Sequence, residues 1–263
     1  MRDGWVGGAA YDAYMGRWSS LVAARFLEWL DPAPGLQWLD IGCGAGALTK
    51  EVVERNAPTC VVGVDPSAGF LAHARRRLVG REVGFVVGDA RDLPVRDAGA
   101  DVVVSGLALN FVPDQRRAAA ELARVVRPGG LVAAYVWDYS GGMQMLSWFW
   151  AAAVAVDPAA RPLDEATRFA ACDAAYLSAL LVGGGLAAPE TEELAVTTRF
   201  QGFDDYWSPF LGGQGPAPSY VAGLAPAARA ALEEELRDRL PTEQDGSIAL
   251  TARAWAVRAH RAA

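Results

Sequence analysis

Residues 39–49 read LDIGCGAGALT and place Gly42, Gly44 and Gly46 at alternate positions directly after a short apolar run. Glycine accepts the sharp, left-handed turns by which a backbone approaches a ligand closely, and the amide end of a following helix supplies hydrogen-bond donors. Gly42-x-Gly44-x-x-Ala47 also satisfies the dinucleotide-binding fingerprint, and Asp65 follows about 20 residues on, where a ribose-binding acid belongs. On these residues alone, more than one nucleoside cofactor remains open.

Two further acids separate the candidates. Asp40 stands two residues before the first glycine. A carboxylate there repels a pyrophosphate and suits a ligand carrying an ammonium and a sulfonium. Gly88-Asp89-Ala90 closes a later apolar run and offers an acceptor for an exocyclic amine such as that of adenine. The other polar candidates are weaker. His73 shares a polar helix face with Arg76 and Arg77, and His260 lies in a terminal tail beside Arg258 and Arg261. Cys43, inside the turn, reads as a small packing residue rather than a nucleophile. Cys43, Cys60 and Cys172 form no C-x-x-C spacing, so no metal site is expected and the thiols read as reduced, in the cytoplasm.

These residues need a scaffold that brings strand ends together. From residue 36 to 138 apolar runs alternate with amphipathic segments, the pattern of a parallel sheet with crossover helices. Strands are predicted over 37–41, 61–65, 83–87, 101–105 and 131–137. Helices are predicted over 47–55, 67–78 with Ser67 as N-cap, and 114–126, the last stopped by Pro128-Gly129-Gly130. An amphipathic helix over 19–30 precedes this unit, behind an aromatic arm. Residues 139–188 read as mostly helical, with a helix over 173–182. Strand-like alternation returns over 192–200 and 247–257, and a charged helix over 225–240 lies between them. The whole reads as one domain: an arm over 1–35, a core over 36–138, and insertions over 139–188 and 201–245.

Composition narrows the function. The 263 residues carry 24 Lys and Arg against 31 Asp and Glu, a formal net charge of -7. Affinity for nucleic acid comes from clustered cations, so nucleic acid is a poor partner. The longest apolar stretch, Met143 to Val156, falls short of the roughly 20 residues that span a bilayer. Met1 to Gly8 already contains Asp3 and Trp5, unlike a secretory signal.

The glycine turn with Asp40, Asp65 and Asp89 in this order resembles the class I S-adenosylmethionine-dependent methyltransferases, in particular the small-molecule branch that includes the ubiquinone and menaquinone methyltransferases. The resemblance implies an α/β, Rossmann-like, seven-stranded, mostly parallel sheet with helices on both faces and strand seven antiparallel. It implies S-adenosyl-L-methionine as cofactor and S-adenosyl-L-homocysteine as product. Gly42, Cys43 and Gly44 would surround the methionine part, with Asp40 beside them. Asp65, followed by Pro66, would hold the ribose hydroxyls, and Asp89 and Ala90 would flank the adenine. Ser105, Gly106 and Leu107 would line the methionine part from the other side. In the arm, Tyr11 and Tyr14 would close the pocket and Arg17 would pair with the cofactor carboxylate. Asn110, Asp138 and Tyr14 are the catalytic candidates, and Phe111, Tyr139, Trp148, Trp207 and Phe210 are the candidates for the substrate pocket.

The expected partner is a small molecule, with the chain a monomer or a homodimer. Ser105-Gly106-Leu107-Ala108 departs from the Asn or Asp with two prolines that amino-methylating nucleic-acid enzymes carry. A nicotinamide-dependent oxidoreductase is the alternative on cofactor, set back by Asp40 and by the lack of a Tyr-x-x-x-Lys pair, Lys50 being the only lysine. A protein that uses the same cofactor for other chemistry, such as cyclisation, is the second alternative.

Overall fold

Seven apolar segments pair into one sheet in the computed structural model, which describes residues 12–170, 172–213 and 215–263. Tyr11 therefore lies outside the described residues. The strands are β1 (Gln37–Ile41), β2 (Cys60–Asp65), β3 (Val83–Val87), β4 (Ala100–Gly106), β5 (Val126–Trp137), β6 (Ala187–Phe200) and β7 (Ile248–His260). Their spatial order is β3-β2-β1-β4-β5-β7-β6. β1 pairs in parallel with both β2 and β4, so the chain winds outward from β1 in two directions. At such a reversal the carboxyl ends of the two central strands flank a crevice that no crossover fills, where ligands of open α/β sheets bind.

β7 runs antiparallel, as the resemblance implied. Gly129 N donates to Arg261 O at 2.9 Å near the start of β5, whereas Asp138 N, just past its end, donates to Arg253 O at 2.9 Å. The same pairing explains a difference from the sequence expectation. Pro128-Gly129-Gly130 was expected to turn the chain after a helix, but Arg261 N also donates to Gly130 O at 3.1 Å, so these residues run within β5. His260, expected in a loose tail, is the last residue of β7.

The helices around the core follow local signals. They are α1 (Arg17–Leu30), α2 (Ala47–Arg55), α3 (Ala68–Arg77) and α4 (Gln115–Val125). Ser67 Oγ accepts from Phe70 N at 3.3 Å and Asp114 Oδ1 from Arg117 N at 3.0 Å, the side-chain caps that satisfy first-turn amides. Later helices are α5 (Gln144–Val156), α6 (Glu165–Arg168), α7 (Ala174–Gly183), α8 (Phe203–Trp207), α9 (Pro216–Gly223) and α10 (Pro226–Arg239). Among the described residues no helix is long and apolar enough to cross a membrane.

The chain gathers into two compact units. The first comprises residues 19–136, 172–194 and 254–263. Its core packs β-branched residues of the sheet, such as Val64, Val103 and Val132, against Leu122 of α4 and Leu181 of α7. β3 is its outermost strand, with Val87 55% exposed, and Arg75 of α3 donates to the Phe85 carbonyl there at 2.7 Å. The second unit comprises residues up to 18, 137–171 and 195–253. Its interior is aromatic: Phe149 stacks on Phe210 with centroids 4.5 Å apart, and the buried Tyr206 hydroxyl donates to Met145 O at 2.8 Å.

Candidate active site

Gly42, Gly44 and Gly46 follow β1 with φ of 74°, 52° and 81°, the left-handed region that glycine occupies without a Cβ penalty. Gly42 N and Cys43 N both donate to Val64 O, at 2.7 and 3.2 Å, so the turn is tied to the end of β2. At Gly42 a side chain has no room. A Cβ would stand 2.4 Å from that of Ala108 and 4.0 Å from Ser105 Oγ, which places the loop after β4 directly against the turn. Cys43 is buried, and burial pushes its thiol well up, so the group stays neutral and packs.

Asp65 ends β2 and is buried. Its Oδ2 accepts from Gly44 N at 2.9 Å and its Oδ1 from Ser67 N at 2.8 Å. Burial raises its pKa, opposed by these two backbone bonds. Pro66, exposed and without an N–H, carries the chain between Asp65 and the cap residue.

Asp40 is 1% exposed, and Thr49 Oγ1 donates to its Oδ2 at 2.6 Å. Its Oδ1 is buried with no hydrogen-bond partner. Burial pushes the carboxyl up to about 7, against the pull of the Thr49 hydroxyl and with a smaller push from Asp65. Thr49, within the 39–49 segment, gave no sign of this bond in sequence; its hydroxyl satisfies one oxygen of Asp40 and not the other. Ser105 Oγ and both amide atoms of Asn110 are likewise buried without partners. Buried polar atoms left unpaired cost about 1–3 kcal/mol each, so a set of them in one unit around strand ends reads as a site awaiting a polar guest.

The loop after β4 is strained. Leu107 holds φ 58°, unusual for a side chain, while its N donates to Tyr135 O at 2.8 Å. A Cβ at Gly106 would meet the Tyr135 hydroxyl at 2.6 Å. The turn Leu109–Phe111 then carries the buried Asn110 and the half-buried Phe111.

Asp89 is already engaged. Arg91 Nη2 donates to it at 2.6 Å and Arg91 N at 2.9 Å, and the guanidinium brings its carboxyl down to about 2. Ala90, beside it, is half-buried.

The remaining candidates belong to the second unit. Tyr14 is buried, its hydroxyl without a partner. Arg17 bonds Asp205 at 2.9 Å and lies over the Trp18 ring, so its guanidinium is occupied. Asp138 is occupied on both oxygens: Ser140 N and Oγ donate to Oδ1 at 3.0 and 2.6 Å, and Arg253 Nε to Oδ2 at 2.8 Å. Burial opposes ionisation there, but the Ser140 and Arg253 bonds win and keep its carboxyl below the usual range, so it is a poor base. Tyr139, Trp207 and Phe210 are buried in the aromatic interior and Trp148 is half-buried. Glu165 was not anticipated. It is 3% exposed, and the Trp150 indole N–H donates to its Oε2. In sequence an acid at a helix start looks solvated, which hid it. Among the described residues no group of three or more His, Cys, Asp or Glu is arranged for a metal ion.

A family model described as "Methyltransferase domain" matches residues 39–134, which contain the turn and the three acids. The nocamycin O-methyltransferase of Saccharothrix syringae is 36% identical over 127 residues, 46% of this chain and 45% of that protein. A malonyl-[acyl-carrier protein] O-methyltransferase of Pectobacterium atrosepticum is 35% identical over 126 residues, 48% of each chain. The alignments thus span a little under half the length of these curated relatives. In fold, the chain is similar to the Haemonchus contortus phosphoethanolamine N-methyltransferase 2 solved with S-adenosyl-L-methionine, with a TM-score of 0.61 at 17% identity over 97% of this chain and 57% of that one. Through residues 39–134 the chain is therefore similar to the methyltransferase-domain family and to these two O-methyltransferases.

Proposed function

We propose that the protein transfers a methyl group from S-adenosyl-L-methionine to a small-molecule acceptor, leaving S-adenosyl-L-homocysteine. The observation that carries this reading is Asp40, whose unpartnered, buried Oδ1 lies in the same turn system as Asp65. A buried carboxylate oxygen without a donor calls for a cation, and an ammonium answers it where a pyrophosphate would add like charge.

The residues present fit that cofactor. Asp65, oriented by two backbone amides, keeps lone pairs for a ribose diol, and Pro66 stiffens the step that follows. Gly42, Cys43 and Gly44 offer a backbone surface with no side chain in the way at Gly42. Ser105, Gly106 and Leu107 bring a hydroxyl and backbone to the opposite side, and Asn110 offers both a donor and an acceptor, with Phe111 beside it. Asp89 and Ala90 are the proposed adenine contacts, with Asp89 held in place by Arg91.

When bound, S-adenosylmethionine supplies a sulfonium methyl, a leaving-group arrangement that needs no protonation. The protein's task is therefore alignment in a site closed to water, worth about 7–11 kcal/mol. A strong base is optional. We assign no base role to Asp138, whose lone pairs are taken, and no pairing with the cofactor carboxylate to Arg17, which Asp205 holds.

The insertions over 139–188 and 201–245 are proposed to bind the acceptor, with Tyr14, Tyr139, Trp148, Trp207 and Phe210 as the aromatic candidates. Two relatives are named as O-methyltransferases, which supports an oxygen among the O, N or C acceptors the reaction allows; the small-molecule branch that includes the quinone methyltransferases rests on the motif resemblance alone. Scattered cysteines support a cytoplasmic location, and the chain is read as a monomer or a homodimer.

Calorimetry with S-adenosylhomocysteine and with NAD tests the cofactor: tight NAD binding with none of the homocysteine compound overturns the reading. Turnover with a labelled methyl group tests the reaction. Labelled cofactor bound but never consumed would instead favour cofactor-dependent cyclisation or another non-methylating role.

A further inference from the structure

Asp40 lies in the central strand of the sheet, in register with Gly63 of β2 and Val104 of β4, so neither neighbouring position offers it a polar side chain. Thr49, the third residue of α2, is fully buried, and its hydroxyl donates to Asp40 Oδ2 at 2.6 Å. Among the described residues it is the only side-chain donor to that carboxylate. A threonine inside a helix often spends its proton on a carbonyl one turn back. Thr49 spends its proton on Asp40 instead.

A donor on one oxygen does two things. It fixes the carboxylate so that Oδ1 keeps its lone pairs for a ligand. It also stabilises the charged form over the neutral one, because a hydrogen bond to an ion is stronger than one to a neutral group. Burial opposes this, with a smaller push from Asp65 at the end of β2. The turn adds no charge, since the Cys43 thiol is neutral. In α2, Lys50 and Arg55 pair with Glu54 and Glu51, each at 2.7 Å. Asp101 of β4 takes Arg127 at 2.5 Å, and Arg75 of α3 donates to the Phe85 carbonyl at 2.7 Å. The ionisation of Asp40 is thus left to burial, Asp65 and Thr49.

We propose that Thr49 is a positioning residue for cofactor binding: its hydroxyl fixes Asp40 Oδ2, leaves Oδ1 for the cofactor ammonium, and so governs the pH at which the cofactor binds. The identity of the ammonium as that of S-adenosylmethionine rests on the function proposed above.

The test is calorimetry on the full chain between about pH 6 and pH 8.5 with two ligands, S-adenosylhomocysteine and methylthioadenosine. Methylthioadenosine shares the adenosine and the thioether sulfur but lacks the ammonium and the carboxylate. In the unaltered chain, affinity for S-adenosylhomocysteine should rise with pH and that for methylthioadenosine should not. Thr49→Val should move the rise upward by about one to two pH units, weaken S-adenosylhomocysteine at pH 7 by roughly fivefold or more, and leave methylthioadenosine unchanged. Thr49→Ser, which keeps the hydroxyl, should restore the original profile, and in an Asp40→Asn background Thr49→Val should have no further effect. Melting curves confirm folding, and Thr49→Ala carries the same expectation where the valine variant does not fold. An unmoved profile, an equal loss for both ligands, a loss that serine does not rescue, or a loss that persists beside Asp40→Asn overturns the proposal, the middle two by marking a purely structural role. S-adenosylhomocysteine binding that is indifferent to Thr49 removes this inference alone; an unaltered chain that binds none of it removes the methyl-transfer reading and this inference together.

Discussion

The Asp65 carboxylate grips the Gly44 amide at 2.9 Å across neighbouring strand ends, so the acid that ends β2 holds the shape of the turn that follows β1. Its other oxygen takes the Ser67 amide at 2.8 Å, which fixes the plane of the carboxylate before any ligand arrives.

Asp65→Ala should therefore weaken S-adenosylhomocysteine binding by about 1.5–3 kcal/mol, the worth of hydrogen bonds to a charged group. Calorimetry at constant pH measures it. Unchanged affinity, in a variant whose melting curve shows a folded chain, would place the ribose elsewhere.

Asp40 predicts a pH dependence with a definite sign. Its folded-state pKa is raised from the ordinary 3.8 to about 7, so its stabilising contribution is complete below the ordinary value and is lost as pH rises through about 7. Binding runs the other way, because an ammonium partner needs the ionised form. Between about pH 8 and pH 6, affinity for S-adenosylhomocysteine should fall roughly tenfold, the linkage for one proton at a group titrating near neutrality. Asp40→Asn should flatten that profile; a profile that survives the substitution would falsify the assignment.

Gly42 faces two obstacles to substitution: φ 74° and an Ala108 Cβ only 2.4 Å from where its own would stand. Gly42→Ala should cost about 1–3 kcal/mol of stability, visible in urea unfolding, and abolish measurable cofactor binding. Adding Ala108→Gly removes the clash but not the backbone strain, so recovery should be partial.

Asp138 distinguishes a structural lock from a base. With Arg253, Ser140 N and Ser140 Oγ all donating to it, Asp138→Asn should lower unfolding stability by about 2 kcal/mol. Methyl transfer per folded molecule should persist. A variant of native stability without turnover would make Asp138 the base instead.

The glycine turn, Asp40, Asp65 and Asp89 were readable in sequence because each depends on a few adjacent residues. So were helices α2, α3 and α4, whose caps are local. What sequence concealed depends on distant partners. The Asp138–Arg253 bond joins positions 115 apart and the Arg17–Asp205 pair spans 188. β5 reaches back to Val126 because Val126 pairs with Ala100 of β4 and Arg261, just past β7, bonds Gly129 and Gly130, relationships that no window around Pro128 contains. Glu165 gives no local sign of burial, since only the Trp150 indole and the packed rings reveal it.

β3, last in the sheet and partly exposed, presents the kind of open border along which a foreign extended segment adds itself and seeds aggregation. Arg75 stands guard on that border. By spending its guanidinium on the Phe85 carbonyl it withdraws an acceptor that an incoming chain would use and leaves a positive charge in its path. One arginine on a crossover helix thus serves colloidal safety, a task separate from the chemistry at the other ends of the strands.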